Sequence, residues 1–249
     1  MILGILKAIF YQPLYNALVF LAVNLPHQDL GLAIILLTII VRLLLYPLYH
    51  KSLTTQKKMK GIEVELNKIK ELHKDDKETQ TKKVLALYRE NGINPLTSFV
   101  VVLIQLPIIL SLFYVFRGSI QINPDVLYGF IPAPESIQHL FLGLLDVTKK
   151  SLPLALLVGF SQFLQMKLAV PPLPPRNTDD VPSFKDDLNR SMNMQMRYVM
   201  PLMIVFVASA LPSALSLYWI TSNLFTIGHE LIVKRRALEL KGVSDIKTP

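Results

Sequence analysis

One arginine stands where arginine is expensive. Arg42 lies inside the apolar run Ile34–Leu48, nine residues before Lys51, which puts it roughly 13 Å from the end of a helix rising 1.5 Å per residue. A cation at that depth in a bilayer costs about 3 kcal/mol on insertion scales, so it needs a partner, water or a route to the interface. The chemistry it offers is a fixed positive charge for an acidic group. Five apolar stretches are long enough to span a membrane or nearly so, and among them only the last holds an acid, Glu230. Gln105 stands at a similar depth, Gln162 and Gln165 are one turn apart near the end of the third stretch, and Ser222 and Asn223 fall in the same half of the last. Singly, each is helix-to-helix glue worth about 1 kcal/mol. Together they predict a hydrophilic groove open to one side of the membrane, with Tyr218 and Trp219 either in its wall or in an aromatic belt. Snorkelling of Arg42 to the headgroups is the competing reading.

Other chemistry finds little support. The chain has no cysteine, hence no disulfide framework, thiolate nucleophile, zinc-thiolate site or acylated lipobox. No G-x-S-x-G, H-E-x-x-H, P-loop or G-x-G-x-x-G occurs, Gly159-Phe-Ser-Gln-Phe failing at its last position. The five histidines are scattered. A voltage sensor would repeat arginine along a span, and a secondary transporter would show two related halves; neither pattern is present. The expectation is a protein that is not an enzyme and uses no cofactor and no metal.

These residues must be positioned by membrane helices. The chain has 249 residues, 51% hydrophobic and 18% charged, too apolar for an ordinary soluble domain. A span needs roughly 20 apolar residues. The net charge of +8 would suggest nucleic acid in a soluble protein; in a membrane protein the position of the charges sets the topology, and no specific nucleic acid partner is expected. The fold class read from this pattern is an all-α membrane protein of five transmembrane helices, with an N-terminal interfacial helix and a cytosolic helical hairpin. Its parts are residues 1–28, the interfacial helix; 29–50, 95–117, 151–170, 197–212 and 213–233, the spans; 51–94, the hairpin; 118–150, an extracytoplasmic loop; 171–196, a cytosolic loop; and 234–249, a basic cytosolic tail. Leu211-Pro212-Ser213 reads as a tight turn between the last two spans. For residues 1–28 a cleaved signal peptide and an extra span also compete; interspersed polar residues favour the interfacial helix, bent at Pro13.

Lys51–Asn94 carries eleven Lys or Arg and seven Asp or Glu. Met59, Ile62, Leu66, Ile69 and Leu72 recur at threes and fours, marking one helical face, and Lys74-Asp75-Asp76-Lys77 supplies a polar turn. It is either a self-packed solvated pair or a docking surface. Basic residues also crowd Lys167–Arg197 and Lys234-Arg235-Arg236, whereas Arg117–Lys150 is poor in them and holds Asp125, Glu135 and Asp146. The positive-inside rule puts the hairpin, the loop 171–196 and the C-terminus in the cytosol and the N-terminus outside. Pro171-Pro172-Leu173-Pro174-Pro175, followed by Asp179, Asp180, Asp186 and Asp187, reads as an extended, mobile connector.

The order of these parts resembles the YidC/Oxa membrane-insertase family in a bacterial form. Gly31 through Arg42 to Pro47-Leu48 looks like that family's arginine-bearing span. Tyr88-Arg-Glu-Asn-Gly92-Ile-Asn-Pro95 with Gln105-Leu-Pro107-Ile resembles its hairpin exit and second span, and Leu217-Tyr-Trp219-Ile-Thr-Ser-Asn223 its last. The resemblance implies an insertase and chaperone for newly made membrane proteins in the bacterial plasma membrane, working alone or beside the Sec translocon and receiving its clients from ribosomes. It makes Arg42 the groove arginine and Gln105, Trp219 and either Gln162 or Gln165 groove-lining. The sequence departs from the Gram-negative pattern in lacking a large extracytoplasmic domain and from the Gram-positive one in lacking a lipid-modified cysteine; the expectation is a minimal core. The basic tail after Val233 is short, which puts strong ribosome anchoring by the tail in doubt. An anion-binding transporter or channel using the same arginine is the alternative.

Overall fold

The architecture is that of a computed structural model, which describes residues 4, 6–117, 123–134, 137–169 and 184–246. The proline-rich connector Pro171–Pro175 and Asp179-Asp180 lie outside the described residues. The chain divides into two compact units, one of Met1–Arg42 with Ser111–Pro249 and the other of Leu43–Leu110.

In the first unit, α1 (Gln12–Asn24) follows a π-helical turn over Lys7–Tyr11. A second π turn, Gln195–Val199, joins α8 (Phe184–Met194) to α9 (Met200–Ala210). Each π turn ends two residues before a proline, Pro13 or Pro201. A proline lacks the N–H that would bond four residues back and its ring crowds that carbonyl, so a widened turn absorbs the conflict while the helix continues. The distortion expected at Pro13 thus takes the form of a wider turn ahead of it, with Pro13 in the first turn of α1. Helix α1 buries Leu14, Tyr15, Leu18, Val19 and Ala22.

Helix α2 (Leu30–Leu44) carries Arg42 in its last turn. Its start is held by Asp29, which is 4% exposed. One carboxylate oxygen accepts from Leu32 N at 3.0 Å and the other from Leu142 N at 2.7 Å. Leu142 (φ 52°) and Gly143 (φ 73°) are both left-handed; they turn β1 (Leu140–Phe141) back onto the antiparallel β2 (Leu145–Asp146). Left-handed backbone is uncommon outside glycine, and the bond from Asp29 helps hold Leu142 there. Gly31 fits beneath this ribbon because it has no side chain: a Cβ would collide with Phe141.

The same loop ties down two other helices. The Asn16 amide, 2% exposed, donates to Val126 O at 2.9 Å and accepts from Tyr128 N at 2.7 Å. Tyr15 accepts from Asn123 N at 2.8 Å. At the start of α10 (Ser213–Ile246), Ser213 N and Ala214 N donate to Lys149 O and Val147 O, each at 2.8 Å. Asp146 shapes the approach to α7 (Leu152–Ala169) by accepting from the Thr148 hydroxyl at 2.6 Å; that bond, aided by Lys149, holds its carboxyl below the usual range.

Helix α7 packs against both α9 and α10. Ala155, Val158 and Ala208 are buried between them, with Ile204, Val205, Trp219 and Ile220 around them. Small residues let helices approach closely, and Gly159 goes furthest, since a Cβ there would run into Val205. Among the described residues α7 alone is long and apolar enough to cross a membrane as one helix; α2 reaches that length only together with α3 (Tyr46–Gly61) across the break at Leu45.

The second unit contains α3, α4 (Glu63–Leu72), α5 (Lys77–Glu90) and most of α6 (Leu96–Arg117), which carries Pro107 inside it. Ile62, Leu87 and Ile93 form its core, with Met59, Leu66, Ile69 and Tyr88 packed on it. Asp76 caps α5 by accepting from Thr79 N at 3.0 Å, and the interactions with Thr79 hold its carboxyl below the ordinary range. At the far end Gly92 is left-handed (φ 59°) and Ile93 N reaches back to Tyr88 O at 2.8 Å, the bond pattern that closes a helix at a C-terminal glycine. Asn94 Oδ1 then accepts from Leu96 N at 3.0 Å and opens α6.

Candidate functional site

Arg42 reaches across to α10: its Nε donates to the Ser222 hydroxyl in a long hydrogen bond of 3.4 Å. Ser222 is buried. A hydroxyl is a neutral acceptor, so it orients the guanidinium without cancelling its charge. The next residue, Asn223, points its amide toward α7 and donates to the Ser161 hydroxyl at 3.0 Å. Ser161 in turn donates to Val158 O at 2.9 Å within its own helix. Two adjacent residues of α10 therefore link α2 on one side and α7 on the other through side-chain polar contacts. Such contacts do not dissolve into an apolar core, where each polar atom must find a partner.

The remaining candidates fall differently. Trp219, one turn before Ser222 and Asn223, is half-buried and packs on the apolar cluster of Ala155, Val158 and Ala208. Its neighbour Tyr218 is 3% exposed. Gln162 and Gln165 are both half-buried on α7, Gln162 directly following Ser161. Gln105 belongs to the second unit, where its side-chain oxygen accepts from the Tyr49 hydroxyl. Glu230 is buried on α10, eight residues and so about 12 Å beyond Ser222 along the helix.

Sequence reasoning missed two residues, Ser161 and Tyr49. The hydroxyl of Ser161 stood in the rejected nucleophile motif, yet its place in the same helix as the small residues Ala155 and Gly159, one turn after Val158, marks a close helix contact where a small polar residue pairs across the interface. Tyr49 stands just before the basic run, where aromatic residues commonly serve as interface anchors, and nothing in its spacing pointed to Gln105. Among the described residues no group of three His, Asp or Glu side chains is placed to hold a metal ion.

A mostly helical chain with a span-length apolar helix, and with a cation and amide and hydroxyl side chains between its helices, is consistent with an all-α membrane protein. The chain belongs to the family described as 60Kd inner membrane protein, which it matches over residues 22–240. It is similar to the membrane protein insertase YidC of Pelobacter propionicus, with 32% identity over 205 residues, covering 82% of this chain and 35% of that protein. The membrane protein insertase YidC of Francisella tularensis subsp. novicida is 30% identical over 226 residues, covering 89% of this chain and 36% of its own length. The chain thus spans about a third of the length of these curated relatives.

Proposed function

We propose that the protein is a membrane insertase and chaperone that helps newly made membrane proteins enter the bilayer of a bacterial inner membrane. Five spans, an outer N-terminus and a cytosolic hairpin over 51–94 and C-terminus complete this reading, with ribosomes and the Sec translocon as partners that deliver or share clients. The observation that carries it is the guanidinium of Arg42, set in an apolar helix and oriented by the neutral hydroxyl of Ser222. A groove that stops partway through the bilayer shortens the apolar distance a polar segment must cross, and a cation in a low-dielectric setting attracts acidic residues more strongly than in water. The client's apolar helix then partitions into lipid by its own burial. No bond is made or broken, so the process is not enzymatic.

The test is reconstitution into liposomes with a small client bearing an acidic translocated tail. Arg42→Ala should insert it at least tenfold more slowly, the loss of an interaction of about 1.4 kcal/mol. Arg42→Lys should retain part of the rate, because the role asks for charge more than for a planar fork. Unchanged insertion by Arg42→Ala would remove the charge from the mechanism. The same vesicles separate the transporter reading, for which anion flux without insertion is the signature.

A further inference from the structure

A groove of about 270 Å³ runs between α7 and α9, lined by Gly159, Phe163, Tyr198, Pro201, Leu202 and Val205. Gly159 forms part of its floor where Val205 packs close, and Tyr198 reaches it from the π turn Gln195–Val199. The Phe163 and Tyr198 rings stand 5.9 Å apart, tilted by 38°. Apart from the Tyr198 hydroxyl, the named side chains are apolar.

Two cations stand at one end of it. Arg197, in the same π turn as Tyr198, donates from Nη2 to Lys167 O at 3.5 Å. Lys167 lies one turn beyond Phe163 at the end of α7, and its side chain is exposed. An apolar slot ending in a guanidinium and an ammonium matches an amphiphile with a long apolar chain and an anionic head. Arginine's fork suits a phosphate, and π turns recur where helices carry function. The topology proposed above puts this end in the cytosolic leaflet, where anionic lipids are drawn to basic residues.

We propose that the groove between α7 and α9 is a binding site for an anionic phospholipid, one acyl chain lying against Gly159 and its headgroup phosphate held by Arg197 and Lys167. A purely apolar peptide segment would gain nothing from the paired cations. The site is separate from Arg42, and of the reading above it rests only on the topology that puts this end in the cytosolic leaflet.

The test uses the full chain, purified in detergent and stripped of lipid, then titrated with dioleoyl phosphatidylglycerol or dioleoyl phosphatidylcholine, with retained lipid counted by native mass spectrometry. Phosphatidylglycerol should be retained in preference. Arg197→Gln should weaken its retention about fivefold, the loss of one cation at a lipid surface, and Lys167→Gln should add to that. Leu202→Trp, which fills the apolar slot while leaving both cations, should lower retention of both lipids. Soluble glycerol phosphate should not compete, which separates a lipid from a free phosphate. Equal retention of the two lipids by the unaltered protein, or undiminished phosphatidylglycerol with Arg197→Gln, overturns the proposal. So does a photoreactive residue at position 202 that, in phosphatidylglycerol vesicles, labels a client segment or a second copy of the chain but no lipid.

Discussion

Replacing Asp29 by alanine should loosen the first unit measurably, and the size of the effect follows from its two bonds. The carboxylate accepts from Leu32 N at 3.0 Å and Leu142 N at 2.7 Å from a position only 4% exposed. Loss of a helix cap costs about 1 kcal/mol. Leaving the Leu142 amide without its charged acceptor costs about 1–2 kcal/mol more, at the lower end where water can replace it. The total is about 2–3 kcal/mol. For a chain of this size each kcal/mol moves the midpoint by about 2–4 °C, so Asp29→Ala should melt roughly 4–12 °C lower. Trp219 is the only tryptophan and packs in the core of the same unit, so its fluorescence in a fixed detergent reports the transition directly. Asp29→Asn keeps one acceptor oxygen and should lose about half as much. If Asp29→Ala melts within about 2 °C of the unaltered protein, below the shift expected of even one lost bond, the loop is held by something other than this carboxylate.

Further outcomes are expected elsewhere. The Asn223–Ser161 bond should show a coupling of about 0.6 kcal/mol, and at most about 1.7, in a double-mutant cycle with alanine at both positions; no coupling would mean the two side chains do not meet. Gly159→Leu should cost about 1–3 kcal/mol by overpacking against Val205, and Val205→Ala should recover part of that in the same fluorescence melt. Asp76 titrates below its ordinary value because of the Thr79 interactions, so its cap contributes fully above the unfolded pKa of about 3.9 and is lost as pH falls through the lower folded value. Hydrogen exchange at the Thr79 amide should therefore separate Asp76→Ala from the native chain near about pH 6, and the difference should shrink as pH falls below the unfolded value; a difference that does not change with acid would sink the assignment.

How far the sequence reaches depends on the range of the interaction. Met59, Ile62, Leu66 and Ile69 advertise their packed face through spacing alone, because a helix maps local periodicity onto one side. Gly92 is equally local: its left-handed backbone and the bond from Ile93 to Tyr88 fall within six residues. Counting depth along apolar runs groups Arg42 with Ser222 although 180 residues separate them, since a bilayer gives every span a common ruler. No ruler exists for the loop between α6 and α7. That Asp29 would meet Leu142, or Asn16 the backbone of Val126 and Tyr128, depends on tertiary placement with no periodicity to reveal it. The helix Phe184–Met194, within the expected loop 171–196, is hidden by its polarity, and the packing of Trp219 on the cluster of Ala155, Val158 and Ala208 has no sequence signal, because an aromatic side chain at a given depth does not disclose which way it faces.

The first unit treats its polar side chains in two ways, and this separates stability from function. At the loop, Asp29, Asn16 and Ser213 are matched to backbone groups at 2.5–3.0 Å, fixed partners that leave little to exchange. At the level of Arg42 the contacts run between side chains, the longer at 3.4 Å, with a full charge on one of them. A saturated end and an adaptable one make opposite predictions. Asp29→Ala should lower the melting point while leaving Arg42, and with it the proposed client charge, in place. Arg42→Ala gives up the long hydrogen bond to Ser222 but also removes a cation from an apolar helix, where on the proposed topology its insertion costs about 3 kcal/mol, so its melting point should fall less than that of Asp29→Ala while insertion falls. If Arg42→Ala instead melts several degrees lower, with an insertion defect no larger than that of an equally destabilised Gly159→Leu, then the guanidinium is a strut and the client charge must be met elsewhere.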